Sequence, residues 1–269
     1  MIEIIERSEQ WRERYSSWNA KQSDALEQLK DYPFVENSRA PFTAARRAIT
    51  MTNLAVIVSA GTYIDGTDPF DTNAADGDFN LRELPTDIEL RDLRFAARGY
   101  DPGFTQRDAN VQVPLERLRE FESNRVIGQI APVFWSFCGF IPNAARFADE
   151  TIPQLLERLN RYDVQAALLI PASQLCHQSV ALAARAIEQT GLPTMTLGVD
   201  RETLESARPP RAAFYAGKLG SVVGEPNWPQ HQRRVLDEAL RWIEPMGQPG
   251  IRKLAVELET KVEIARGER

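Results

Sequence analysis

The first group of residues that could carry chemistry surrounds Cys176. Ser173 and Ser179 each lie three residues from Cys176, and His177 follows it directly. This run comes between an apolar stretch that ends at Ile170 and an Ala-rich stretch typical of a helix. The start of a helix offers unpaired N–H groups and a positive dipole end, and both stabilise a thiolate. The pattern therefore predicts Cys176 as a nucleophilic or redox thiol.

A structural interpretation of the same run stays open. In it, the hydroxyls of Ser173 and Ser179 cap the helix and its turn, and Cys176 is a packed residue. The second cysteine, Cys138, lies among aromatic residues, where a thiol usually behaves as an inert core side chain: Phe134, Trp135, Phe137 and Phe140.

The acidic segment 65–92 is the second candidate region. It holds nine acidic and two basic side chains in a chain of net charge −6. Four of its residues crowd together: Asp71, Asn73, Asp76 and Asp78. They fail the EF-hand pattern, because position 6 from Asp71 is Asp76 instead of Gly and position 12 is Arg82 instead of Glu. We predict no bound metal, with an irregular metal site in this loop as the alternative.

Two further signals are weaker. The stretch GKLGSVVG at 217–224 lacks both the P-loop ending and the G-x-G-x-x-G spacing, so it predicts a backbone-shaping loop instead of a nucleotide site. His231 begins a charged amphipathic stretch, and we expect it at the surface.

Apolar stretches predict the elements that position these residues. Strands are predicted over 54–60, 164–170 and 193–198, and a helix over 177–190. Shorter signals predict a strand over 126–130 and four helices: 114–122, one starting at Pro153 with Thr151 as its cap, 229–244 and 250–266. This alternation predicts an α/β fold with an open, mainly parallel sheet and flanking helices. Ligands bind such sheets beyond the carboxyl ends of the strands.

Residues 2–30 predict an N-terminal amphipathic helix. Its apolar stripe is narrow and consists of Ile4, Trp11, Tyr15, Trp18, Leu26 and Leu29. Such a stripe must cover either the body of the domain or a partner subunit. We divide the chain into a helical arm, 1–38, and an α/β domain, 39–269, with two lobes at 39–150 and 151–269 as an alternative.

Composition excludes several classes of protein. The chain is 43% hydrophobic and 26% charged, as folded globular proteins are. Its net charge of −6 argues against a nucleic-acid binder, and two cysteines cannot form a disulfide framework. No apolar stretch reaches the ~18 residues of a membrane span, and the first residues lack the apolar centre of a signal peptide. We expect a cytoplasmic protein.

Several short motifs between about Arg39 and Trp242 resemble the selenoprotein B subunits of the glycine, sarcosine, betaine and D-proline reductases. They are PFT at 41–43, LAVIVSAG at 54–61, GDFNLRELP at 77–85, GYD at 99–101, VPLERL at 113–118, IGQIA at 127–131, the stretch 176–193, GEP at 224–226 and QRR at 232–234. The resemblance implies a selenocysteine near a strand end that attacks a carbon bearing an activated nitrogen. Reductive cleavage of the C–N bond then follows, with electrons from dithiols.

This chain departs from the motif of the family that it resembles. In glycine-type members the motif is selenocysteine, two residues, Cys, two residues, Cys. Matching Cys176 to the middle thiol places Ser173 at the selenocysteine position and Ser179 at the last Cys. A dithiol cycle here would therefore need Cys138.

We accordingly predict a selenium-free, reductase-like enzyme that acts on a small amino-acid-like or amine substrate. It would need no cofactor except a dithiol reductant. The predicted catalytic residues are Cys176, Ser173 and His177. The predicted substrate-binding residues are Asp71, Asp76, Asp78, Arg82, Ser179 and Tyr100, because carboxylates suit a substrate ammonium group and Arg82 suits a carboxylate.

Two alternatives remain from the sequence. One is a cofactor-independent lyase or isomerase, with Cys176 as a general acid or base. The other is a non-catalytic subunit of a larger complex, or a homo-oligomer, that contacts its partner through the N-terminal helix.

Overall fold

A computed structural model describes residues 3–21 and 29–267. The helices are α1 (Ser8–Asn19), α2 (Gly103–Arg107), α3 (Leu115–Ser123), α4 (Ala144–Arg161), α5 (Gln174–Gln189), α6 (Arg201–Ala207), α7 (Pro229–Arg241) and α8 (Val256–Ala265). The strands are β1 (Asn53–Val58), β2 (Thr62–Ile64), β3 (Arg82–Pro85), β4 (Leu93–Phe95), β5 (Gln129–Ile130), β6 (Val133–Ser136), β7 (Ala166–Ile170), β8 (Thr194–Gly198), β9 (Arg211–Phe214) and β10 (Gly250–Lys253).

One large sheet organises this part of the chain. Its strand order is β10-β9-β8-β7-β1-β6-β3, and the short β5 also pairs with β1. All of these neighbours are parallel except β3, which runs antiparallel to β6. Strands β2 and β4 form a separate antiparallel pair. The predicted open, mainly parallel α/β sheet is confirmed.

Each face of the sheet is covered by its own apolar core. In β1, Ala55 and Ile57 point into the core that α1, α4 and α5 cover. Leu54, Val56 and Val58 point into the opposite core, which α3 and α7 cover. Because both faces are buried, the central strands are continuous apolar runs in the sequence.

The apolar residues of α1 cover the body of this same chain. Trp11, Tyr15 and Trp18 are buried in the core shared with α4 and α5, and Trp11 stacks on Tyr15 with ring centroids 5.1 Å apart. Of the two coverings that the sequence left open, the domain itself is the one observed. The helix is shorter than the predicted 2–30, and Leu26 lies outside the described residues.

Side chains of α5 hold the N-terminal segment on the domain. Gln178 accepts the N–H of Val35 at 2.7 Å and donates to the Tyr32 hydroxyl at 3.0 Å. The guanidinium of Arg185 donates to the carbonyls of Glu3 at 2.7 Å and Ile4 at 2.9 Å. Hydrogen bonds between a buried helix and backbone carbonyls fix the path of the first residues.

The helix predicted to start at Pro153 is wrong in its boundary. Pro153 lies inside α4, which begins nine residues earlier, after Asn143. Asn143 caps the helix by accepting the N–H of Arg146 at 3.1 Å, whereas Thr151 donates to the carbonyl of Phe79 at 2.8 Å. Burial of the apolar face of α4 outweighs the hydrogen bond that a proline removes.

The starts of two other helices also differ from the prediction. The predicted helix 250–266 is wrong at its start, because the first four residues form β10, which extends the sheet beside β9. Arg252 and Lys253 are exposed there, as is typical of an edge strand. Helix α5 begins three residues before the predicted 177 because Ser173 caps it.

His231 is buried, so its predicted surface position is wrong. Its ring lies 5.0 Å from the Trp228 ring and 6.2 Å from the Tyr215 ring, measured between centroids. Its Nδ1 accepts the N–H of Glu225 at 3.0 Å. The residue therefore shapes the loop before α7, in a place where periodicity alone suggested an exposed turn.

Candidate functional site

Three parallel strands end side by side at the proposed site. Val58, the last residue of β1, pairs with Ser136 of β6 and with Ile170 of β7. After β1 the chain builds β3 and β6 on one side of the sheet, and after β7 it builds β8, β9 and β10 on the other side. Loops diverge at such a switch point, and ligands bind in the crevice between them.

Cys176 lies in the first turn of α5 at this point and is 1% exposed. Its N–H donates to Ser173 Oγ at 3.2 Å, which caps the helix. The Ser173 hydroxyl donates to Cys176 Sγ at 3.0 Å, and the thiol donates to the carbonyl of Ser59 at 3.4 Å. The sulfur thus accepts one hydrogen bond from a hydroxyl and donates one to a backbone carbonyl.

His177 is held by the backbone on both sides of its ring. Nε2 accepts the N–H groups of Val199 at 3.0 Å and Asp200 at 3.2 Å, so the proton belongs on Nδ1, which donates to the carbonyl of Ser173 at 2.7 Å. Full burial lowers the pKa of His177 to about 4. A neutral ring with both nitrogens occupied holds Ser173 in place, while its catalytic role stays a prediction.

The other hydroxyls near Cys176 also bind carbonyls. Ser179 Oγ is buried and donates to the carbonyl of Gly139 at 2.8 Å. The Tyr100 hydroxyl donates to the carbonyl of Ala60 at 2.7 Å. Burial raises the pKa of Tyr100, and the nearby Cys176 adds to the effect. Both side chains join the loops that follow the strands.

Gly99 and Tyr100 pack against the residues around Cys176. A methyl group on Gly99 would lie 2.5 Å from the Phe140 ring and 3.1 Å from Ser173 Cβ, and the φ of Gly99 is +75°. Tyr100 also packs on the small cluster that contains Cys176. Only glycine lets the backbone approach this closely, and the segment 99–100 therefore packs over Ser173 and Cys176.

The acidic segment lies on the other side of the same loops. A methyl group on Gly77 would lie 2.9 Å from Ile141 Cα, and the N–H of Asn143 donates to the carbonyl of Asp76 at 3.1 Å. Both Ile141 and Asn143 follow the residues after β6 that flank Cys176. The segment therefore borders the site without covering Cys176 itself.

The three predicted substrate-binding carboxylates of the acidic segment differ in their exposure and in the hydrogen bonds that they accept. Asp78 is buried and accepts the N–H of Asp71 at 2.7 Å and that of Asn80 at 2.8 Å. Asp76 accepts the Tyr15 hydroxyl at 2.6 Å. Asp71 is exposed and accepts the N–H of Asn73 at 2.8 Å. Asp71 is thus the carboxylate of the three that solvent reaches most freely.

Two arginines contact residues of the acidic segment. Arg82 stacks on Phe70, with its guanidinium carbon 4.2 Å from the ring centroid. Arg98, which the sequence did not suggest, donates to the carbonyl of Ala74 at 2.7 Å and lies 4.6 Å from the Phe140 ring centroid. Its signal in the sequence was its place directly before the motif GYD at 99–101. Burial lowers the pKa of Arg98.

Cys138, which the sequence predicts as an inert core side chain, is buried. It lies in the loop after β6, pairs with Ala60 in an isolated β-bridge and is buried against Phe70 and Ala96. Burial, together with the neighbouring Cys176, raises the pKa of Cys138 to about 12. A thiol with that pKa stays protonated at neutral pH.

Within residues 3–21 and 29–267, no group of three or more His, Cys, Asp or Glu side chains is arranged to hold a metal ion. None of the helices in those ranges is both long enough and apolar enough to span a membrane.

Comparison with known proteins gives several relatives. D-proline reductase subunit gamma of Acetoanaerobium sticklandii is 28% identical over 202 residues, which are 75% of this chain and 82% of that protein. Glycine reductase complex component B subunit gamma of Symbiobacterium thermophilum is 26% identical over 171 residues, 61% of this chain and 39% of that protein. Sarcosine reductase complex component B subunit beta of Peptoclostridium acidaminophilum is 27% identical over 173 residues, 62% of this chain and 38% of that protein.

The match to D-proline reductase subunit gamma thus spans most of both chains, whereas the matches to the component B subunits span about two fifths of those longer proteins. No solved structure shows significant similarity to the chain. The glycine/sarcosine/betaine reductase selenoprotein B family matches residues 22–172, from the N-terminal segment to the residue before Ser173. The chain belongs to this family.

Proposed function

We propose that this chain is a selenium-free subunit of a reductase that cleaves a C–N bond in a small amino-acid-like or amine substrate. Cys176 is its reacting thiol. The observation that carries the proposal is the Ser173 hydroxyl, which donates to Cys176 Sγ at 3.0 Å where the strand ends diverge. Membership in a family of reductase components supports the reaction class.

The chemistry proceeds in two steps. The Cys176 thiolate attacks the substrate carbon that bears the activated nitrogen, a C–S bond forms, and the amine leaves with the electron pair of the C–N bond. A second thiol then attacks the sulfur and forms a disulfide, and the carbon fragment leaves with the electron pair of the C–S bond and takes up a proton. The Ser173 hydroxyl stabilises the thiolate before the attack.

Charged side chains near the site suit the rest of such a substrate. Arg98 is half-buried beside Phe140 and binds a substrate carboxylate in this proposal, with Arg82 further along the same loops. The exposed Asp71 attracts an ammonium group. Because Cys176 is 1% exposed, Gly99 and Tyr100 must move aside before a substrate reaches the sulfur.

The two free thiols suit a reducing compartment, and we propose the cytoplasm.

Substitution of Cys176 tests this function. We expect Cys176→Ala to lose turnover by about 10³-fold or more, because the nucleophile is absent. The measurement is amine release from glycine, sarcosine or betaine, or ring opening of D-proline to 5-aminopentanoate, with dithiothreitol as the reductant. Urea unfolding of the variant shows that it is folded. Full amine release by Cys176→Ala would refute the proposal.

The burial of Cys176 also favours a second candidate, a non-catalytic subunit that supports the active site of a partner. The hydroxyls of Ser173 and Ser179 are buried with it and bonded to protein groups, as in a structural core. In this case amine release requires the partner subunits and persists in Cys176→Ala. Assays with and without the partner subunits separate the two candidates.

A further inference from the structure

We infer that a cavity beside Phe95 is the entrance through which a small carboxylate reaches Cys176, and that arginines at the cavity bind its carboxylate group. This inference rests on the proposed function, because it names the entry site and the ligand class of the same reaction. The carboxylate contact proposed for Arg98 is then the second one, made after the substrate has passed Phe95.

The cavity has the size of a small-molecule site. Its volume is about 500 Å³, and it is open to solvent. Sites for small ligands usually have volumes of about 300–1,000 Å³. Residues of β2, β4 and α2 contribute to its walls. The large apolar side chains that line it are Tyr63, Leu90, Leu93 and Phe95.

Three arginines line the cavity, and two of them lack an acidic partner. Arg94 pairs with Asp65 at 2.6 Å. Within the part of the chain that the structure describes, Arg91 and Arg107 form no ion pair. Arg107 donates through Nε to the carbonyl of Gly103 at 2.9 Å, which leaves its two terminal nitrogens for a ligand. A guanidinium binds a carboxylate through two parallel hydrogen bonds.

The two carboxylates that line the cavity are held by other groups. Asp108 accepts the N–H groups of Asn110 and Asn227, each at 2.9 Å. One oxygen of Glu116 pairs with Arg117 at 2.8 Å. These partners compensate the two negative charges, so the arginines stay available to a substrate carboxylate. The second oxygen of Glu116 suits the amine of the same substrate.

Phe95 connects the cavity with Cys176. Its half-buried side chain lines the cavity, and together with Tyr100 it packs on the small cluster of Ala60, Ala172 and Cys176. Of these two aromatic neighbours of the cluster, Phe95 is the one that lines the cavity. Phe95 is the last residue of β4, and its side chain can change between staggered rotamers. Such a change opens a path from the cavity to the sulfur.

Alkylation of Cys176 tests the entrance without the reductase reaction. Iodoacetate carries a carboxylate next to a carbon with a leaving group. The thiolate attacks that carbon, a C–S bond forms, and iodide leaves with the electron pair of the C–I bond. Iodoacetamide is the neutral counterpart. Mass spectrometry measures both labelling rates at Cys176, each divided by the rate for the urea-unfolded chain. We expect the normalised rate to be at least about threefold higher for iodoacetate.

Variants locate the origin of this preference. Arg91→Met combined with Arg107→Met should abolish it by slowing the reaction with iodoacetate alone. Arg46→Met combined with Arg47→Met is the matched control, because it removes two exposed arginines near the amino ends of β1 and β7 and should keep the preference. Phe95→Ala should raise both rates, and urea unfolding shows which variants are folded.

Three results would overturn the inference. They are a preference for iodoacetate that survives the loss of Arg91 and Arg107, unchanged rates in Phe95→Ala, and no labelling of Cys176 in the folded chain.

Amine release separates this inference from the proposed function. Arg91→Met combined with Arg107→Met should raise the KM at least about threefold and change kcat less. If this variant loses the preference for iodoacetate while Cys176→Ala still releases amine, the entrance stands and the proposed function fails. If Cys176→Ala is inactive while the arginine variant keeps both the preference and the KM, the entrance fails and the proposed function stands.

Discussion

Helix α5 buries polar groups at both ends, but in different ways. At its carboxyl end, Glu188 forms an ion pair with Arg211, and its oxygens also accept N–H groups from Thr194 at 2.8 Å and Thr43 at 2.5 Å. At its amino end, Cys176 has only the longer and weaker contacts of a thiol. Glu188 is saturated with partners, as a structural charged group is, whereas the reaction proposed for Cys176 needs contacts that are weak enough to exchange.

Loss of the buried ion pair should have the largest effect on stability. We expect Arg211→Met to lower the free energy of unfolding by about 3–5 kcal/mol, because Glu188 stays buried without its cation. Urea unfolding measures the change. Arg201→Met is the matched control, since Arg201 pairs with Glu205 at 2.7 Å on the surface and should cost less than about 1 kcal/mol. Equal losses of unfolding free energy in both variants would contradict a structural role for the ion pair at the carboxyl end of α5.

The amino end should make stability depend on pH. Burial lowers the pKa of His177 from 6.5 to about 4, so the unfolded chain binds a proton that the folded chain rejects. Stability should therefore be complete above pH 6.5 and fall by up to about 3 kcal/mol as the pH drops toward 4. Urea unfolding between pH 7.5 and about 4.5 measures the free energy of unfolding at each pH. His177→Gln should make that free energy depend less on pH.

A second group titrates in a lower range and can be separated from His177. Although burial opposes the change, hydrogen bonds from Ser38 and Arg39 lower the pKa of Glu6 from 4.5 to about 2. Glu6 stabilises the folded state above pH 4.5, and that stability disappears only as the pH falls toward 2. If the free energy of unfolding of His177→Gln still falls between pH 6.5 and 4.5, another group is responsible for the pH dependence.

A substitution of Ser173 should have the smallest effect on stability. It nevertheless tests most directly whether the amino end of α5 differs from its carboxyl end. Ser173→Ala removes a helix cap and should cost about 1 kcal/mol. It also removes the donor to Cys176 Sγ, so amine release should fall about tenfold or more. Asn143→Ala removes the cap of α4 and is the matched control, with a similar loss of stability and unchanged amine release. Equal activity in both variants would leave Ser173 as a cap alone.

The long apolar runs made the centre of the fold predictable. β1, β7, α5 and β8 lie close to their predicted ranges because burial on both sides leaves an unbroken apolar signal. Short strands gave no such signal. β2 and β4 have three residues each and pair only with each other, so their partners depend on contacts that a local pattern does not contain.

The site was predictable in part for a similar reason. Cys176 and Ser173 lie at a strand end and a helix start, which are features of neighbouring residues. The position of Cys138 depends on its bridge to Ala60, and the position of Arg98 depends on a loop that folds back over Phe140. Both are contacts between distant parts of the chain, and the sequence offers no spacing that reveals them.

The contacts between Arg185 and the N-terminal segment have a consequence for synthesis on the ribosome. Arg185 and Glu3 are separated by 182 residues. At about 5–20 residues per second, the first residues wait about 10–40 s for the helix that holds them. During that interval the core that Trp11, Tyr15 and Trp18 enter lacks the residues of α5. This N-terminal segment is therefore among the last parts to reach its final place.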